Sequence, residues 1–538
     1  MDSPTNVLTT GAPAGERQET EWQFDAADLP AVRAWLLAGG SETELRLEPQ
    51  PAVHLRDTYF DTDRWSILRA GFALRVRESE TWPEATLKSL EQSNAALLVR
   101  REIVQFLAEA NLSETLGDPG PVTERVCLLA GRHDLRALFT VETQRERFAL
   151  TGAGNQAEIA LDSAIFRTDN GTQRELRRVE IELVAGGVAA FMPWVRELQA
   201  ACALAPSRTS KFRVGLECAG SEPRKLADLG PTVPDASMDA ARFALTTVRR
   251  GVLAMLEQEP ATRLGEDPEA LHDLRVTLKR LETYLWEFRA HLPAAVVECR
   301  EPLRDMRRML GRTRDVEVQL AELDVFAEKL SKTERPSLAP LRQYLERVRR
   351  EARTVMIQRL DADDTQELLW RLETAVAEPA PGPPVAPDGS AAHAMSATQL
   401  LAPLVQEAFR KVRKRAARLS LDSPSEEFHA TRSRVKRLRH LVESARPLFN
   451  GSVKEYRRAL QRLQDVLGTL HDSHVASERL RALAATPPVS LPGDTLFLMG
   501  RLTERHERTS GRMRRGFPKA WKRVRGGRWK ALRRELTR

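Results

Sequence analysis

Between Glu19 and about Cys218 the chain alternates between apolar and polar residues, and the polar positions are charged again and again. Leu74-Arg75-Val76-Arg77 and Arg178-Val179-Glu180-Ile181-Glu182-Leu183 show the pattern at its plainest. A period of two is the period of a strand, because successive side chains leave a sheet on opposite faces. A sheet that carries charge along one face throughout either gives that face to water or closes it around a polar interior. Helical patterns near residues 28–38, 124–138 and 188–203 predict helices that cover the apolar face.

The charged faces come in two kinds. On the first strand Glu19, Glu21 and Gln23 share one face and Thr20, Trp22 and Phe24 the other. Two carboxylates about 7 Å apart on one face repel unless a hard cation or a cationic ligand sits between them. Glu180 with Glu182 repeats the arrangement, and Glu158 with Asp162 lies on a further inward face. Against these stand Arg75 and Arg77, Lys88, Arg100, Arg145 and Arg147, and Lys211 with Arg213. Arginines two apart on a strand aim several forks in one direction, which suits successive phosphate groups. Any one of these pairs alone reads as a solvated strand face; the ordered series is what points to a site. Carboxylates for Mg²⁺ or Mn²⁺ beside cations for phosphate oxygens are the parts of metal-assisted phosphoryl hydrolysis.

After a linker at 219–237 the period changes to 3.6 and stays there. A Pro- and Gly-rich break at 379–394 divides this region, read as 238–525, into blocks at about 238–378 and 395–525. The blocks repeat each other. His272, Arg275, Lys279, Arg280 and Leu281 match His429, Arg432, Lys436, Arg437 and Leu438, and Leu310-Gly311 with Asp315 matches Leu467-Gly468 with Asp472, at identical spacings. An internally duplicated helical bundle is the simplest source of two matching spacings. On a helix His272, Arg275 and Lys279 fall within roughly 60° of one another, opposite Leu274, Leu278 and Leu281. Each motif gives its histidine cationic neighbours instead of carboxylates or a second histidine. The imidazole is therefore better suited to donating to an anion than to ligating a metal.

Charge divides the same way. Residues 231–538 hold 57 basic and 41 acidic side chains, and residues 391–538 hold 33 against 13, whereas residues 1–230 are net acidic. A basic half of this kind implies a polyanionic partner. The stretch Arg508–Arg538 adds 13 basic residues against one acid, with Trp521 and Trp529 interleaved. It reads either as a nucleic-acid contact or as a solvated, partly disordered basic tail, and 526–538 is set apart as a basic tail. Residues 1–17 read as a disordered lead without a signal sequence, so the expected compartment is the cytoplasm. Four dispersed cysteines exclude a disulfide framework and a thiolate metal site, and are expected to be reduced.

The order of these motifs resembles the CYTH family, the triphosphate tunnel metalloenzymes: Glu19-Thr-Glu21-Trp-Gln23, Asp57-Thr-Tyr-Phe-Asp61-Thr, Leu74-Arg75-Val76-Arg77, Thr86-Leu87-Lys88, Glu180-Ile-Glu182 and Ser210-Lys211. The resemblance implies that 18–218 is an eight-stranded antiparallel tunnel in an α+β multidomain chain. By it, Glu19, Glu21, Asp162, Glu180 and Glu182 would hold a divalent metal, Mg²⁺ or Mn²⁺. Arg75, Arg77, Lys88, Arg100, Arg145, Arg147 and Lys211 would grip a triphosphate, and Glu19, Glu21, Gln23 and Lys88 would be catalytic. Inorganic triphosphatase is the activity implied. The chain departs from the family at Gln23, where the opening motif has lysine. The second region resembles the CHAD family, conserved-histidine α-helical domains, through H-x-x-R-x-x-x-K-R-L twice and L-G-x-x-[RH]-D twice. That resemblance implies a basic groove in which His272, Arg275, Lys279, Arg280, His429, Arg432, Lys436 and Arg437 bind inorganic polyphosphate, with association to polyphosphate granules. Three functions are thus open: a hydrolase that also binds polyphosphate, a non-catalytic granule-binding protein, and a nucleic-acid binder, the least supported because recognition of bases wants exposed aromatics or a recognition helix.

Overall fold

The computed structural model describes residues 15–38, 45–78, 82–90, 96–109, 119–168, 171–221, 229–380, 395–449, 451–486 and 490–537. It divides into two compact units, one ending at Leu226 and the other beginning at Ala227. Most of the expected lead (1–14), part of the linker (222–228) and most of the break (381–394) lie outside the described residues. Gly15–Arg17, expected in the lead, already belong to a strand.

The first unit is built on β1 (Gly15–Asp25), β2 (Arg46–Thr62), β3 (Phe72–Glu78), β4 (Glu84–Ser89), β5 (Leu97–Phe106), β6 (Leu135–Gly152), β7 (Asn155–Arg167), β8 (Gln173–Ala185) and the two-residue β9 (Ala205–Pro206). The strand order β5-β4-β3-β2-β6-β7-β8-β1 closes on itself because β1 also pairs with β5, so eight antiparallel strands form a barrel and β9 is appended to β1. The closure is staggered. β1 pairs with β5 through Gly15–Trp22 and with β8 through Glu21–Asp25, so Glu21 and Trp22 are the residues paired on both sides.

Alternation sorts the two faces. Trp22, Phe24, Phe148, Leu150, Ile159 and Ile181 face outward into a core completed by the helices Leu29–Leu37 and Val188–Ala201. The helix expected over 124–138 runs instead from Pro121 to Ala130. Gly131 ends it with φ 59°, a left-handed conformation natural to glycine, and Leu135 opens β6.

The inward face is not polar along its whole length. Tyr59, Ala73, Phe139, Val141, Ala164 and Phe166 share strand faces with Asp57, Arg75, Arg145 and Asp162, and they pack on Phe212, Val214 and Leu216. One end of the barrel is therefore filled by an apolar plug. Residues 211–213, read as a strand, are the start of the helix Lys211–Cys218, because the Ser210 side chain caps it by accepting from the Arg213 amide at 3.2 Å.

In the second unit the duplication is visible helix by helix. Pro268–Glu287 and Ser425–Ser444 hold the two histidine motifs and have the same length. Equivalent residues of the two repeats meet: Thr283 Oγ1 lies 3.2 Å from His440 Nδ1, and Asp239 forms an antiparallel bridge with Ser396. Contacts between equivalent residues mark a pseudo-twofold axis. The expected disordered tail is ordered: Gly527–Leu536 is a helix, and Trp529 stacks on Phe409 at 3.7 Å. Among the described residues no helix is long and apolar enough to cross a membrane. None of the four cysteines is in a disulfide.

Candidate functional site

The interior of the barrel collects charge from nearly every strand. Glu19, Glu21 and Gln23 of β1 are 6%, 3% and 5% exposed, so this charged face is enclosed, not solvated. Lys88 of β4 reaches past β5 to Glu19, its Nζ standing 2.5 Å from one carboxylate oxygen and 3.6 Å from Glu21. Arg100 of β5 pairs with Glu21 as well, and the Gln23 amide donates to Glu21 Oε1 at 3.0 Å. On the opposite wall Arg77 grips Asp57 through two bonds of 2.7 and 2.9 Å, while Arg75 lies 3.7 Å from Asp57 and 3.5 Å from Glu84. A third knot forms against the plug. Arg145 binds Asp162 in a fork with two 2.7 Å bonds and Glu180 at 2.6 Å, and Lys211, at the start of the capping helix, meets the same two carboxylates at 2.5 and 3.1 Å.

Ion pairing sets the protonation states. Burial pushes the Asp57 carboxyl up, but Arg77 and then Arg75 more than reverse this and hold it well below the usual carboxylate range. Glu102 goes the same way, to about 2: burial opposes its charge, and Lys88, Arg75 and Arg17 outweigh burial. Glu182 is the exception. Burial, then the like charge of Glu19, raises it.

Glu21, Glu182 and Glu158 are in direct register across β1, β8 and β7, one row of three carboxylates on the inward face. Hard oxygen donors in a like-charged row are the kind that Mg²⁺ or Mn²⁺ takes, so the donor chemistry fits a divalent cation. Among the described residues no three donors converge on one point. Glu19 and Glu21 are turned toward Lys88 and Arg100, and Asp162 and Glu180, expected as metal ligands, are tied to Arg145 and Lys211.

Of the expected phosphate contacts, Arg75, Arg77, Lys88, Arg100, Arg145 and Lys211 converge on the interior. Arg147 is half-exposed and donates to the Pro51 carbonyl, and Arg213 lies on the outer side of the helix near Glu217. Sequence reasoning missed Glu102 and Arg17, which bind each other at 2.8 Å. Glu102 shares its face with Arg100, so the signal was present; Arg17 was hidden by the composition around it.

In the second unit each motif arginine lies over the glycine of its own repeat. A Cβ at Gly311 would stand 2.7 Å from Arg275 Nη1, and one at Gly468 3.8 Å from Arg432 Nε. Arg275 donates to the Arg307 carbonyl at 2.7 Å, and Arg432 lies 3.6 Å from Asp472. His272 and His429 are exposed at the ends of their stripes, and His429 lies against His471 with ring centroids 4.2 Å apart. Arg280 and Arg437 depart from the stripe. One position past the lysine turns them about 100° around the helix, where they pair with Glu443 and Glu287 across the pseudo-twofold contact.

Crowded cations here lack enough counter-charge. Burial, then Arg432, pulls the Lys436 ammonium down to about 7, and burial also lowers Lys279, Arg275, His272 and His429. Arg314 Nε and Arg432 Nε are buried donors without an acceptor. Such a surface can take an anion, which would supply the missing acceptors and offset the lowered basicity.

Comparison with known proteins agrees with this division. Residues 37–215 match the family model described as CYTH domain, a match that begins after β1, and residues 246–481 match that described as CHAD domain. No curated protein matches the chain. Among solved structures it is similar to PptA from Streptomyces chartreusis, at 18% identity and TM-score 0.41, over 53% of this chain and 100% of that one. It is similar to the CHAD domain from the plant Ricinus communis at 24% identity and TM-score 0.39, over 57% and 96%. A Hippeastrum protein, HpAC1, described as having a dominant triphosphatase activity, matches at 17% identity and TM-score 0.28, over 37% and 95%.

Proposed function

We propose that this chain, a CYTH domain followed by a CHAD domain, hydrolyses inorganic triphosphate or short polyphosphate in its barrel and holds longer polyphosphate chains on its helical unit. The observation that carries this reading is the enclosed cationic wall of Arg75, Arg77, Lys88, Arg100, Arg145 and Lys211, in which Arg75 Nε and Arg100 Nε are buried donors without an acceptor. Phosphate oxygens are the acceptors that fit such forks.

In the proposed reaction the arginines of β3 and β6 grip the non-terminal phosphates, while Lys88 and Arg100 hold the terminal one. Each gives up a carboxylate partner to do so. Water attacks the terminal phosphorus, the bond to the bridging oxygen breaks, and diphosphate and phosphate leave with one proton released. Glu21 and Glu182, with Glu19, would hold a divalent cation, Mg²⁺ or Mn²⁺, which when bound would supply positive charge for the non-bridging oxygens. The carboxylates also orient Lys88 and Arg100 in the free protein.

Gln23 favours a second reading, a non-catalytic protein that binds polyphosphate granules. Its amide donates to Glu21 without the charge a lysine would bring. A tripolyphosphatase assay with Mg²⁺ or Mn²⁺ separates the two. Gln23→Lys is expected to raise turnover, and Glu21→Gln to lower it by roughly tenfold to a hundredfold. Absence of phosphate release from protein that still binds polyphosphate leaves the second reading standing.

A further inference from the structure

The last long helix, Gly493–Arg525, begins its useful surface beside the duplicated motif. His506 Nε2 stands 3.8 Å from Glu322, and Arg505 acts on the same carboxyl, which also feels Asp472 of the second motif. From Arg505 onward most of the cations keep one side of the helix, Arg514 and Arg525 excepted. Arg505, Arg512, Arg515, Lys519, Lys522 and Arg523 fall within roughly 100° of one another, opposite Phe517, Ala520, Trp521 and Val524, which are buried. The stripe runs for about 27 Å along the axis. After Glu507 the sequence has no acid until Glu535, and among the described residues Arg512, Arg515, Lys519, Lys522 and Arg523 are exposed with no carboxylate within 4.0 Å.

We infer that this stripe is a second polyanion track, continuous with the histidine groove, on which the length of a long polyphosphate chain lies beyond what the groove itself can hold. The inference rests on the polyphosphate reading above and extends it to chain length. Two alternatives are disfavoured by the packing. Trp521 and Trp529 are buried, Trp529 against Phe409 and Tyr456, so the two tryptophans among these cations offer no platform to unpaired bases. Along the stripe, Phe517, Ala520, Trp521 and Val524 are likewise covered, so the stretch from Arg512 to Arg523 offers no apolar surface for insertion into a lipid interface. What is left is charge at helical spacing, which binds a backbone of phosphates without regard to sequence.

The test is the full chain with Arg512, Arg515, Lys519, Lys522 and Arg523 all changed to Gln, its fold checked by circular dichroism. Lys519→Glu with Lys522→Glu serves as a smaller second variant. Affinity for long-chain polyphosphate is expected to fall at least tenfold, and the slope of log affinity against log salt to become shallower by up to roughly one per cation removed. Tripolyphosphate turnover and binding of short chains are expected to stay as in the natural protein. If the natural protein binds long chains and both variants bind them equally well with an unchanged slope, the track is overturned while the groove stands. If the natural protein binds no polyphosphate, both readings fall together. RNA that displaces polyphosphate from the natural protein at equal phosphate concentration, and loses affinity in the variants, would instead make the stripe a nucleic-acid surface.

Discussion

Lys279 and Lys436 occupy the same place in the two repeats, yet the side chain three positions further on has opposite charge in each. Glu282 stands 3.1 Å from Lys279 and also takes Arg307 at 3.0 Å, so the first repeat neutralises its own cations. The equivalent position in the second repeat is Arg439, and Lys436 is left among Arg432, Arg439 and Lys279, with Asp472 as its main opposing charge. The second repeat should therefore hold an anion more tightly. Glu282→Gln is expected to strengthen polyphosphate binding several-fold, on the order of the gain from removing one competing charge. Proton linkage follows from the same asymmetry. A free Lys436 with a pKa of about 7 is partly neutral at pH 7–8, and a bound polyanion raises that pKa. Binding then takes up protons, and affinity falls as pH rises through 7 toward the bound value. Calorimetry in buffers of different ionisation enthalpy should show this uptake. Lys436→Gln should remove most of it near pH 8, where His272, His429 and His471, all lowered, are already neutral.

Among the elements, the capping helix Lys211–Cys218 does the most for the site. It fills one end of the barrel and delivers Lys211 to Asp162 and Glu180. Gly215 is where it approaches β6 most closely, since a Cβ there would fall inside the Phe139 ring. Gly215→Val is expected to cost roughly 1–3 kcal/mol by overpacking and to weaken triphosphate turnover by displacing Lys211. Turnover in the variant equal to that of the natural chain at the same folded fraction would show that Lys211 is not needed. Legibility from the sequence stopped at this same helix. Alternation revealed the strands and their charged face because a period of two needs no partner to be recognised, and the repeated spacing of His272 and His429 revealed the duplication. Lys211 and Arg213 were read as strand neighbours because Ser210 acts through a cap, and a cap differs from a strand by one hydrogen bond that alternation does not register. Arg280 and Arg437 lie next to the motif lysines, and only the packing of one helix on the other turns them to Glu443 and Glu287. Burial likewise took Trp521 and Trp529 out of the nucleic-acid reading.

Over the whole molecule, charge and core divide at the same boundary. The first unit has its own apolar clusters around Trp22 and Phe139, and the second has separate ones such as that of Leu323, Phe326, Leu341 and Leu498. Units that bury separate cores unfold as separate cooperative steps unless an interface couples them. Heating should then give two transitions, and ligands should sort between them, because a ligand stabilises only the unit whose native state it binds. Tripolyphosphate with Mg²⁺ is expected to move the first unit's transition. Long-chain polyphosphate at about 100 times its Kd is expected to stabilise the second by about 2.7 kcal/mol. Gly215→Val assigns the steps, since it should lower only the transition that tripolyphosphate raises. One transition that both ligands shift equally would mean that the chain unfolds as one body, and the separation of hydrolysis from chain binding would lose its physical basis.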